Sequence, residues 1–157
     1  MTHRTDDAGG PSRKSPHELI VGTWTMITAD AIRPDGRRVE AFGTNPKGTM
    51  IFTPDGHFAL IQMRAQLPMI AAKSRDLGTP AENQAIVSGS IAYYGTYALD
   101  EMDQTLRLKL EASTFANVLE QREQTRVITV LTTDELKFSN PRTPAGVTLE
   151  VAWRRAT

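Results

Sequence analysis

The stretch Glu18–Ile27, ELIVGTWTMI, sets Gly22 and Trp24 at the head of the first run of strand character, Thr23–Arg33 (TWTMITADAIR). The other tryptophan, Trp153, stands in the last such run, Val147–Arg154 (VTLEVAWR), and Arg155 follows it. Large aromatic rings on the first and last strands predict that those two strands meet. Gly22 permits close backbone approach just before the ring. An arginine of the last strand laid over the Trp24 indole would contribute about 0.5–2 kcal/mol. HELIVG (His17–Gly22) reads as a helical turn leading into the strand.

Between these ends the chain is a series of short runs separated by turn signals. Arg38–Phe42 follows the turn PDGR; Gly48–Thr53 and His57–Arg64 flank PDG, whose Asp55-Gly56 supplies the positive φ of a tight hairpin. Tyr93–Asp100, Thr105–Ala112, Glu120–Leu131 and Glu135–Ser139 continue the series. In TLRLKLEA (Thr105–Ala112), Leu106, Leu108 and Leu110 face one way and Arg107, Lys109 and Glu111 the other. That is the pattern of an antiparallel sheet with one buried and one wet face. TNPKG (Thr44–Gly48) is a turn opened by Asn45-Pro46. Ala65–Ser90 breaks the alternation, and Thr79 ahead of Pro80 predicts a capped helix over Pro80–Ser88. An open sheet of this many strands leaves reactive edges, which closure removes. The expected fold is therefore all-β: a closed antiparallel up-and-down barrel of about eight or nine strands with a short helical insertion. Residues 1–16 read as a disordered tail and 17–157 as one barrel domain.

Gly22-Thr23-Trp24 resembles the Gly-x-Trp signature of lipocalins and their calycin relatives, with Arg154 or Arg155 in the place of the arginine that packs on it. GTW, RPDG, FGTNPKGTMIFTPDGHFAL, IAYYGTYALD and VAWRR together are similar to the small lipocalin-like domain family of bacterial and fungal proteins, over about Leu19–Arg154. The resemblance implies a lipocalin-like barrel.

Composition narrows the function. Lys plus Arg and Asp plus Glu are 18 each, which gives no electrostatic reason to expect nucleic acid or an anionic membrane as partner. Zero cysteines excludes disulfides, thiolate metal sites and thiol catalysis and suits a reducing cytoplasm. The polar first residues carry no apolar run of signal-peptide type, and no later segment is long enough to span a bilayer. The expected location is cytoplasmic. Of three histidines only His57 lies well inside the body, beside the PDG turn, where it reads as a surface residue. No metal site, no cofactor and no catalytic triad follow from it.

A barrel of this size is either filled by side chains or holds one small ligand. If Trp24 points inward, period two sends Met26, Thr28 and Asp30 inward too. By the same parity Met50, Phe52, Phe58, Leu60, Gln62, Arg64, Tyr93, Tyr97, Leu99, Leu106, Leu108 and Leu110 follow. An apolar lining with few polar groups is the constitution of a small-molecule pocket; the same residues also serve as plain core. The expected ligand contacts are Met26, Met50, Phe52, Leu60, Gln62, Tyr97, Leu108 and Phe115. Leu67, Met69, Ile70 and Ile86 of the Ala65–Ser90 insertion are placed to cover the open end, as a lid or as a fixed cap.

Three functions remain open on these residues. One is a barrel binding a small apolar organic molecule, oriented by Gln62, Tyr97 or Arg126. Another is a cofactor-free isomerase, cyclase or dehydratase on a hydrophobic metabolite. Its candidates are Asp30 and Glu123 as carboxylates with pKa raised by an apolar cavity, and Tyr97 or Arg126 as hydrogen-bonding electrophile. Glu123 belongs to a cluster with Asn117, Glu120, Arg122 and Arg126, which reads equally as a solvated face of weak ion pairs. The third is a filled barrel acting through its outer surface.

Overall fold

The computed structural model describes residues 13–141, 143 and 146–157. The expected tail falls mostly on residues 1–12, outside the described residues. Nine strands form one antiparallel sheet: β1 (Gly22–Ile32), β2 (Arg38–Glu40), β3 (Lys47–Phe52), β4 (His57–Met63), β5 (Ser90–Asp100), β6 (Thr105–Ser113), β7 (Glu123–Leu131), β8 (Glu135–Asn140) and β9 (Thr148–Arg155). β1 pairs with β3 through Gly22–Thr25 and with β9 from Trp24 to Ile32, closing an eight-stranded up-and-down barrel. β2 is the extra strand, paired to the far half of β1.

Closure is fixed where the sequence places it. Trp24 pairs with Arg155, whose guanidinium lies 4.3 Å from the indole centroid. The ring is fully buried. A short helix, α1 (Pro16–Ile20), capped by the Ser15 hydroxyl, plugs this end with Ile20. Carbonyls at a helix C-terminus lack intrahelical partners. Here the Trp24 indole donates to the Ile20 carbonyl at 2.8 Å, and Arg155 donates to those of Leu19 and Val21. One tryptophan and one arginine thus satisfy the helix end, stack on each other and seal the floor.

The lower interior is apolar and tightly covered. Met50, Phe52, Leu106, Leu108, Leu136 and Trp153 are at most 1% exposed. The Tyr97 ring meets Phe52 edge-on at 4.9 Å. The opposite end carries the insertion between β4 and β5 and a 3₁₀ helix (Ala116–Gln121) between β6 and β7. The insertion holds α2 (Pro80–Ser88), with the expected cap: Thr79 and Glu82 bond each other's backbone N–H groups. α2 buries none of its residues, and Met69, Leu77 and Val87 are largely exposed.

Candidate functional site

The inner wall carries few polar groups. The buried polar or charged side chains among the described residues are Gln62 (3% exposed) and Arg126 (2%). Gln62 lies on β4, which alternates strictly, with Phe58, Leu60 and Gln62 inward and Ala59 and Ile61 outward. Its amide donates to the thioether sulfur of Met26 at 3.4 Å. Thioether sulfur is a weak acceptor.

Arg126 is held by neutral groups. Its Nη2 donates to the Tyr93 hydroxyl at 3.2 Å and to Gln124 Oε1 at 2.9 Å; its Nη1 donates to the Thr125 carbonyl at 3.3 Å. Gln124 is itself fixed, because its amide nitrogen donates to the carbonyls of Val118 and Gln121 in the 3₁₀ helix. Tyr93 packs edge-on against Phe58, with ring centroids 6.1 Å apart. Among the described residues, no carboxylate forms an ion pair with Arg126.

Of the expected ligand contacts, Met26, Met50, Phe52, Leu60, Gln62 and Leu108 are buried in the interior, and Tyr97 is half-buried there. Phe115 stands apart from these, beyond the end of β6 at the start of the 3₁₀ helix, and is 42% exposed.

Among the catalytic candidates, Arg126 faces inward. Asp30 does not. A register shift between Met26 and Thr28 flips the parity of β1, so Ala29 is buried while Thr28 is exposed. A bulge inserts one unpaired residue and exchanges the two faces beyond it. Asp30 sits between its partners Glu40 and Glu150 and lines an outer concavity of about 300 Å³ with Arg38 and Lys137. Glu123 is exposed opposite Lys109 on the outer face, and Asn117, Glu120 and Arg122 are exposed as well. Arg64 lies just past the end of β4 and is exposed. The Tyr97 hydroxyl donates to the Thr53 carbonyl at 2.7 Å. Burial, and secondarily the charge of Asp55, push its pKa above the ordinary tyrosine value, so at neutral pH it is a neutral donor. His57 is exposed and 3.2 Å from Asp55, as a surface residue beside its turn. The Thr53 hydroxyl and then His57 hold the Asp55 carboxyl below the usual range.

Trp153 joins the interior as a group that parity alone did not single out. It is 1% exposed, pairs with Met26 and Leu136, and its indole N–H has no hydrogen-bond partner among the described residues. The alternation of LEVAW was its available signal, since Val151 and Trp153 share one face. Gln124, two residues before Arg126 on the same face, was legible in the same way. A rim concavity of about 230 Å³ is lined by Gln121, Glu123, Gln124, Thr125, Asn140 and Pro141. Of the insertion residues, Leu67, Ile70 and Ile86 are half-buried and Met69 is 93% exposed.

Among solved structures, a lipocalin-like protein from Bacteroides uniformis aligns at 13% identity over 88% of this chain and 99% of its own, with a TM-score of 0.47. A de novo designed fluorescence-activating β-barrel aligns at 12% identity over 92% and 100%, TM-score 0.46. A redesigned β-barrel bound to DFHBI aligns at 18% identity over 89% and 98%, TM-score 0.45. No curated protein matches the chain. The sequence profile of the lipocalin-like domain matches residues 21–156, from the residue before Gly22 to the one after Arg155. Its span is that of the closed barrel described above, and the chain belongs to the lipocalin-like domain family.

Proposed function

We propose that this protein binds a small, largely apolar organic molecule inside the barrel, entering from the end that carries the insertion and the 3₁₀ helix. The observation that carries the reading is the inner wall: an apolar surface whose buried polar side chains, among the described residues, are one amide and one guanidinium. Desolvation of the ligand supplies affinity, and a small number of placed polar groups supplies orientation. Gln62 and Arg126 have that role, while the Tyr97 hydroxyl is engaged by Thr53. The lining side chains cover one another, so the ligand makes its room by moving Met26 and Met50, unbranched side chains that repack readily. With Asp30 and Glu123 on the outer face, binding is better supported than acid–base turnover. The absence of cysteine favours the cytoplasm as the place of action.

Native mass spectrometry of the purified protein, with Nile red as an uncharged probe, tests the reading. A retained small molecule, or saturable Nile red fluorescence, is expected. A clean mass together with a dye that stays dim would instead indicate a filled barrel working through its outer surface.

A further inference from the structure

The interior holds more hydrogen-bond donors than acceptors, and one of them is charged. The Arg126 guanidinium is permanently protonated and carries five N–H donors. Its three hydrogen bonds end on a phenol oxygen, an amide oxygen and a backbone carbonyl, all neutral. A buried cation without a counter-charge is strongly unfavourable and is ordinarily paired. The Trp153 N–H is buried with no acceptor. The Gln62 amide rests on the Met26 sulfur. Register brings these groups towards one another: Met26 pairs with Trp153 across β1 and β9 and touches Gln62, while Gln62 stands two residues beyond Leu60, the partner of Tyr93. Tyr93 in turn holds Arg126.

We infer that the ligand is an organic anion, an apolar body ending in a carboxylate, whose oxygens take the Arg126 guanidinium and draw on the neighbouring buried donors. The inference rests on the binding function proposed above and adds the charge of the ligand. The buried guanidinium without an anionic partner and the orphan indole N–H are independent observations: the first calls for a negative group, the second for a hydrogen-bond acceptor. Guanidinium pairs with carboxylate more strongly than with neutral acceptors. In this scheme Met26 is the plug: its sulfur covers the Gln62 amide until a ligand oxygen replaces it.

The test compares cis-parinaric acid with the corresponding alcohol by fluorescence, in the full-length protein and in Arg126→Met. The acid is expected to bind at least about tenfold more tightly than the alcohol, the order expected for one charge-assisted contact. Arg126→Met should bring the two to parity by weakening the acid. Equal binding of acid and alcohol by the natural protein, with Nile red still taken up, overturns the anion assignment and leaves the binding function standing. So does a preference that survives Arg126→Met. If neither probe nor Nile red binds, both fall together. Should Arg126→Met not fold, Arg126→Lys keeps the charge and loses the planar fork. It should show a reduced preference for the acid, and an unchanged preference overturns the assignment.

Discussion

Trp24 and Trp153 are both sealed within the barrel, yet only Trp24 has its indole N–H satisfied, by the Ile20 carbonyl. Replacing each by phenylalanine therefore separates two roles. Trp24→Phe removes a made hydrogen bond, leaves Arg155 a smaller and weaker aromatic face to stack on, and leaves a buried carbonyl short of a donor. Trp153→Phe removes a donor that bonds to nothing. Trp24→Phe should cost about 1–3 kcal/mol more in chemical denaturation than Trp153→Phe; equal losses would contradict the floor role of Trp24. Tyr97 gives a pH signature. Its raised pKa means that the folded state favours the neutral phenol, so its contribution is present below the ordinary tyrosine pKa and is lost as pH rises through the folded value. Denaturation midpoints should fall at alkaline pH, and Tyr97→Phe should flatten that fall. Trp24, Gln62 and Arg126 were legible because each combines a distinctive side chain with a clean alternation. The unpaired state of the Trp153 N–H was not, because it depends on what stands opposite the indole in three dimensions.

The strands follow their alternation closely, and the exceptions are places where the period is broken. The helix over Pro80–Ser88 begins where Thr79 ahead of Pro80 predicts it. β1 departs because a bulge near Ile27 shifts its register with β9. Nothing in TWTMITADAI marks the extra residue, so Asp30 was expected inside and lies outside. The Ala116–Gln121 helix was likewise hidden: ANVLEQ has no side-chain cap to mark its start. A second irregularity lies between Tyr94 and Gly95, where β5 meets β6. A Cβ on Gly95 would stand 1.9 Å from the Lys109 carbonyl oxygen, a backbone atom with little freedom to yield. Gly95→Ala should lower stability by at least about 1–3 kcal/mol, the cost of overpacking. A melting temperature equal to that of the natural protein would show that the strands do not approach this closely.

For the molecule as a whole, closure was readable because both ends of the sheet carry a tryptophan and the last strand ends in arginines. The identity of the stacking residue was settled by register: Arg155, not Arg154, pairs with Trp24. The two ends of the barrel differ in construction. One end is locked by α1, Trp24 and Arg155, while the other carries an insertion whose helix buries nothing. Entry by a ligand then need not disturb the floor. The most direct measurement is a nitrogen–proton correlation spectrum recorded during titration with Nile red. The two tryptophans give two indole signals. Binding inside the barrel should displace the Trp153 signal and the amides around Gln62 and Arg126, leaving the Trp24 signal nearly still. Movement confined to residues of the outer wall, such as Ile51, Tyr94 and Val127, or no movement at all, would contradict an interior site.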